Sequence, residues 1–291
     1  MIKPLRKKYG LVIQGGTLRS IFTSGVLDAF ICAGFNPFKY VVGVSGGAMC
    51  MSYYLAQQYK ITYKIMHELA NDDKFMNWLN MFSEEGYINL NYLDEFTKRK
   101  FPLDLKKLTK KIRSKKVEIV TTSLEDGRPI YLRAKTNNWY KSLKASASIP
   151  FVTKGEVIIE NLKVMDGGWS DPIPIKRAIE NKCTDIIVIR TLPKFHREKW
   201  SYFGKIGGFW HRNTPSLSKR FHQDYVFYNE VADFLEMEHE GINIHQITPE
   251  NYLKTTSYST STNNLNEDYR LGMEMGINLL EMLKVKKKLF S

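Results

Sequence analysis

The pentapeptide Gly43-Val44-Ser45-Gly46-Gly47 fits the pattern G-x-S-x-G. It stands between an apolar run, Tyr40-Val41-Val42, and a segment that carries Ala48, Met49, Met51, Tyr53, Tyr54 and Leu55 at helical spacing. Between a strand and a helix this pattern is a nucleophile elbow. Gly43 and Gly47 let the backbone bend sharply, and the helix start aims N–H groups and positive dipole at the serine oxygen. Ser45 is the candidate nucleophile; the bland alternative is a strand-to-helix turn with a serine N-cap. A serine hydroxyl reacts only when a base takes its proton. Asp166 follows the apolar stretch Leu162-Lys163-Val164-Met165 and precedes Gly167-Gly168, which puts it at a strand end on the sheet edge expected for Ser45. A partly buried carboxylate there gains basicity and can orient or deprotonate the hydroxyl. The six histidines, His67, His196, His211, His222, His239 and His245, all lie away from the glycine turns and from the expected strand ends of the core sheet. A third turn, Gly15-Gly16-Thr17-Leu18-Arg19, has neither G-x-G-x-x-G nor a Gly-Lys-Ser/Thr end, so it is a poor nucleotide loop. Beside Ser45 it makes sense as an oxyanion hole, its backbone close to an ester carbonyl and Arg19 adding positive charge.

These turns need a frame. Leu11-Val12-Ile13 leads into the first turn, and apolar residues from Ile21 to Ala33 recur at helical intervals up to Gly34, a C-cap. The unit repeats at Tyr40 to Leu55. Two consecutive βα units with all-apolar strands predict an α/β fold, a mostly parallel central sheet with helices on both faces and its site at the carboxyl ends of the strands. After a helical, aromatic-rich stretch (61–101), strands are expected at 117–123 and 130–134, a hairpin at 157–165, a helix from Asp171-Pro172-Ile173-Pro174 to Asn181, and a buried strand at 186–190. The catalytic core is expected to span 1–191. Residues 192–291 are expected to form a C-terminal extension or cap on the same domain, with helices near 218–239 and 266–287 around a short strand at 242–247.

At 291 residues the chain is within the size of one large α/β domain. With 43% hydrophobic, 13% aromatic and 25% charged residues it is neither disordered nor collagen-like. No stretch approaches the roughly 18 uncharged apolar residues of a membrane span, and the basic start lacks a signal-peptide core, so a cytoplasmic protein is expected. Cys32, Cys50 and Cys183 have no paired spacing, which argues against a disulfide framework or a zinc site. Against 30 acidic residues stand 43 Lys and Arg, a net charge of +13 that favours an anionic partner, membrane or nucleic acid. Much of the excess is local: Lys106, Lys107, Lys110, Lys111, Arg113, Lys115 and Lys116 cluster around Leu105, Leu108 and Ile112 at helical spacing, and Lys284, Lys286, Lys287 and Lys288 close the chain. The first cluster reads as a basic amphipathic helix for an anionic membrane surface, or as a core helix with a solvated face. Nothing beyond charge speaks for nucleic acid.

Taken together, the three turns resemble those of the patatin-like phospholipase family: an early Gly-rich loop with a basic residue, G-x-S-x-G on the next βα unit, and Asp-Gly-Gly well over a hundred residues later. The resemblance covers about residues 10 to 191 and includes Ala145-Ser146-Ala147-Ser148-Ile149-Pro150 and Asp171-Pro172-Ile173-Pro174. It continues with one bacterial branch through Asn36-Pro37-Phe38, Ile189-Arg190-Thr191 and Glu267-Asp268-Tyr269-Arg270-Leu271-Gly272. It implies a three-layer α/β/α fold and a Ser-Asp dyad, with Ser45 as nucleophile and Asp166 as base. It also implies hydrolysis of lipid acyl esters, of phospholipase A or lysophospholipase type, without histidine, metal or cofactor. One departure bears on mechanism. The family pattern G-G-G-x-R/K-G stands here as Gly15-Gly16-Thr17-Leu18-Arg19-Ser20, and a β-branched residue resists φ > 0, so a strained or shifted oxyanion loop is expected. Two other readings follow from the residues: a lipid-binding or regulatory protein with a weakened site, and a Ser-His-Asp α/β-hydrolase completed by one of the histidines from 196 to 245.

Overall fold

Short runs of β-branched and aliphatic residues fill the middle of the sheet, and they are buried on both faces, as parallel strands under two helical layers must be. The computed structural model describes residues 7–82, 86–153, 157–258 and 261–284. Its strands are β1 (Tyr9–Ile13), β2 (Tyr40–Val44), β3 (Lys116–Ser123), β4 (Pro129–Arg133), β5 (Val157–Ile159), β6 (Leu162–Asp166), β7 (Asp185–Ile189) and β8 (Asn243–Ile247). The helices are α1 (Ser20–Cys32), α2 (Ser45–Leu55), α3 (Ile61–Leu69), α4 (Leu90–Lys100), α5 (Leu105–Ile112), α6 (Trp139–Ser146), α7 (Ile175–Glu180), α8 (Tyr202–Trp210), α9 (Pro215–His222), α10 (Asp224–Phe234) and α11 (Thr262–Met282). Pairing runs β5-β6-β3-β2-β1-β7-β8, with β4 also on β3. The five strands β3, β2, β1, β7 and β8 are parallel, and the hairpin strands β4, β5 and β6 are antiparallel. The expected mixed, mostly parallel sheet is the one found.

Side chains alternate between the two layers. Leu11 and Ile13 face the cluster with α1, α2 and α11, while Val12 faces α7 and α10. Glu118, buried in β3, joins the second layer to the sheet: it accepts from Tyr40 Oη (2.6 Å) and from Arg177 Nε and Nη2 of α7 (2.9 and 3.0 Å).

The segment beyond 191 adds to both the sheet and its cover. β8 lies parallel beside β7, and α11 crosses α1 so closely that a Cβ on Gly25 would lie 2.2 Å from the Tyr269 carbonyl oxygen. At the same joint Tyr269 Oη donates to the buried Asp28 carboxylate (2.9 Å). The helix expected near 218–239 is two helices. Gln223 leaves helical geometry between them, and the Asp224 carboxylate accepts the Tyr225 N–H at the new start (2.8 Å). In α5, Leu108 is fully buried and Lys106, Lys107, Lys110 and Lys111 are exposed, so its apolar stripe belongs to the core. Lys286, Lys287 and Lys288 lie outside the described residues. Among the described residues no helix is long and apolar enough to cross a membrane.

Candidate active site

The register of β3 brings two distant turns together. Lys116 N–H donates to the Lys39 carbonyl and Leu124 N–H to the Lys163 carbonyl, whereas Ser123 N–H reaches Arg128, all at 2.9 Å. Backbone groups of alternate residues point to opposite edges of a strand, so β4 holds one edge of β3 and β2 and β6 share the other in succession. β2 runs parallel to β3 and ends with Val44 opposite Val120; β6 runs antiparallel and ends with Asp166 opposite Thr121. The two strands therefore meet tip to tip. Ser45 follows the first tip, and its hydroxyl stands beside the carboxylate of Asp166 at the second, where it favours the anion.

Ser146, the last residue of α6, plugs the gap. Its Oγ accepts the Ser45 N–H (2.8 Å) and donates to the Val120 carbonyl (2.6 Å), two groups that the change of neighbouring strand would leave unpaired. Ser45 has φ +51°, a left-handed conformation that costs a non-glycine residue about 1–3 kcal/mol and persists only where the surroundings enforce it. Gly47 shows the enforcement: a Cβ there would fall 2.3 Å from the Gln14 carbonyl oxygen, so the first turn of α2 rests directly on the loop after β1.

That loop carries Gly15, Gly16, Thr17 and Arg19. A side chain on Gly15 would meet Ser45 Cβ at 3.0 Å, so the backbone passes against the serine. Thr191 anchors it, its Oγ1 donating to the Gly15 carbonyl and its N–H to Gln14 Oε1, both at 3.0 Å. Among the described residues, the N–H groups of Gly16 and Thr17 have no protein acceptor. Thr17 has φ +49°, so the β-branched residue does occupy the conformation it resists. Arg19 is largely buried, which pulls its guanidinium below its ordinary pKa against the charge of Glu198, and among the described residues its Nε has no hydrogen-bond partner.

The Asp166 carboxylate is 5% exposed. Burial pushes its carboxyl up to about 6, opposed by the neighbouring Ser45 hydroxyl and by the bond from the Gly168 N–H (2.7 Å). Two cavities meet at Ser45. One is walled by apolar side chains such as Leu18, Met49, Tyr53, Met66 and Leu143. The other is more polar and contains Asp166, Arg19, Glu198, Lys199, Asp224 and Tyr258. No histidine lines either cavity; His67, for instance, bonds Asn266 and His211 stacks on Phe221. Among the described residues no group of His, Cys, Asp and Glu could hold a metal ion. Gly43, Gly47, Ser45, Asp166, Gly15, Gly16, Thr17 and Arg19, singled out in the sequence, thus come together in one place. Sequence reasoning passed over Ser146 and Thr191. Both stand in stretches noticed for their family likeness, but neither has a chemistry-bearing pattern of its own.

With this geometry goes a class. The family model described as patatin-like phospholipase matches residues 11–179, and the chain belongs to that family. A second model, described as a domain of unknown function (DUF6363), matches residues 214–285. The uncharacterized protein YjjU of Escherichia coli (strain K12) is 29% identical over 274 residues, covering 92% of this chain and 76% of its own. Among solved structures, VipD from Legionella pneumophila is similar over 95% of this chain and 67% of its own, with 12% identity and a TM-score of 0.48.

Proposed function

We propose that the chain hydrolyses carboxylic esters of lipids, as a phospholipase A or lysophospholipase, through a Ser-Asp dyad. Ser45 Oγ attacks the ester carbonyl and passes its proton to Asp166. The Gly16 and Thr17 N–H groups, with Gly15 shaping the turn and Arg19 supplying positive potential, receive the oxyanion. Collapse breaks the ester bond; the leaving alcohol takes the proton from Asp166, and the acyl group stays on Ser45. A water, deprotonated by Asp166, then releases the fatty acid and restores the serine. The acyl chain occupies the apolar cavity and the polar portion of the lipid faces the other. No cofactor enters.

The observation that carries this reading is the pairing of the Ser45 hydroxyl with the Asp166 carboxylate at the junction of an apolar cavity and a more polar one. The first prediction tests it. Ser45→Ala is expected to abolish both hydrolysis of a short-chain nitrophenyl ester and labelling by a fluorophosphonate. Asp166→Asn should lower turnover by roughly 10²–10⁴ while the protein stays folded. A histidine variant as inactive as Ser45→Ala would establish a Ser-His-Asp triad instead. The strained Thr17 supports a second reading, a lipid-binding protein with little turnover; wild type that resists the fluorophosphonate would favour it.

A further inference from the structure

Helix α8 reverses the usual burial of a surface helix. The face it turns to the protein is glycine: a Cβ on Gly207 would lie 2.4 Å from the Phe221 ring of α9, and one on Gly208 would lie 2.3 Å from the His222 ring. Four of its large side chains point outward. Tyr202, Ile206, Phe209 and Trp210 are 74%, 52%, 67% and 72% exposed, and their spacing of four, three and one places them on one face. Trp200, just before the helix, is half exposed as well. An apolar face of this kind left in water marks an interaction site.

Charge identifies the occupant. From Lys199 to Asn213 there is no Asp or Glu, and Lys199, Lys205 and Arg212 are exposed among the aromatics. Lys205 Nζ lies 3.8 Å from the Trp200 ring centroid, and the Arg212 guanidinium lies 4.9 Å from that of Phe209. Tryptophan and tyrosine interleaved with flexible cations suit the head-group zone of an anionic bilayer, where rings enter the acyl boundary and the cations meet phosphate. The helix is also continuous with the site. Lys199 and Ser201 line the polar cavity with Ser45 and Asp166, and Phe221, beneath α8, packs on Trp169 just past Asp166 at 4.6 Å between ring centroids.

We infer that the outward face of α8 is a membrane-docking surface for anionic lipid, which seats the polar mouth at Ser45 on the bilayer. Its use in catalysis rests on the hydrolase reading; its test does not. The experiment is sedimentation with vesicles of equal parts phosphatidylglycerol and phosphatidylcholine, comparing wild type, Ser45→Ala, the triple variant Ile206→Ser, Phe209→Ser, Trp210→Ser, and the double variant Lys205→Glu, Arg212→Glu. Wild type and Ser45→Ala are expected to pellet alike. The triple variant should bind at least about tenfold more weakly, and the double variant should lose the preference over pure phosphatidylcholine. Soluble-ester turnover of both α8 variants should match wild type. Wild type that ignores the vesicles, or a triple variant that pellets like wild type, overturns the inference. So does a wild-type dimer that the triple variant converts to monomer, since a second copy would then cover the face. Undiminished ester turnover by Ser45→Ala would instead sink the hydrolase reading and leave the docking result standing.

Discussion

Asp166 is placed where burial favours the neutral acid, whereas the base proposed for Ser45 must be the anion. With its carboxyl near 6 in the folded protein, soluble-ester turnover should climb with pH and reach half its plateau at about 6. The same displacement acts on stability. An aspartate titrates near 4 when unfolded, so this group's contribution is full below about pH 4 and is lost as pH rises through about 6. Asp166→Asn removes the burden of burying the anion. It should be more stable than wild type by roughly 1–3 kcal/mol at pH 8 and equal to it near pH 4, as read by urea unfolding at the two pH values. Thr17→Gly relieves a left-handed β-branched residue, and a severalfold rise in kcat on a nitrophenyl ester is expected, equivalent to about 1 kcal/mol of barrier. A fall in kcat would mean that threonine fits the loop. Ser45 and Asp166 could be read from sequence because each follows an apolar strand and precedes glycine. Ser146 could not, because its role arises only where two strands end against each other on one edge of β3.

Among the elements, the βα units at the start of the chain were legible because every residue of their strands is apolar or glycine and each helix opens at a glycine turn. Periodicity was less informative where packing uses no side chain at all. The α1–α11 crossing is a case: Gly25 faces the Tyr269 carbonyl, and a Cβ on Gly272 would lie 2.1 Å from the Phe22 carbonyl oxygen. Backbone on both sides leaves nothing flexible to yield. Gly272→Val is therefore expected to destabilise the protein by more than about 2 kcal/mol, measured by urea unfolding, with the loss in the midpoint rather than the slope. The sequence from Pro193 to Ser218, rich in aromatics, glycine and basic residues, lacks clean periodicity for a related reason. α8 presents glycine inward and aromatics outward, so the apolar stripe that ordinarily reports a buried face reports an exposed one.

Across the molecule, the net charge of +13 is carried partly by α5, whose apolar stripe is already committed to the core. Its lysines can draw the protein toward an anionic surface but cannot insert. Replacing Lys106, Lys107, Lys110 and Lys111 by glutamine should leave soluble-ester turnover intact and weaken binding to anionic vesicles by up to roughly 1 kcal/mol per engaged lysine. The loss should shrink as ionic strength rises. A quadruple variant with unchanged salt dependence would assign the charge elsewhere. Bulk charge was visible in the sequence, but its division between a solvated helix and an aromatic one depends on which faces the fold leaves open.

β1 lies between β2 and β7, and α1 is enclosed by α11. A ribosome releases these partners in a fixed order at about 5–20 residues per second. The first strand gains β2 early but waits for Asp185–Ile189, and α1, buried from Ser20 to Phe30 in the finished protein, waits for Thr262–Met282. Until β7 and α11 emerge the nascent chain thus shows an open strand edge and an uncovered apolar helix to the surrounding cell. Messages broken before α11 would yield products that remain in that state, natural clients for chaperones and proteases.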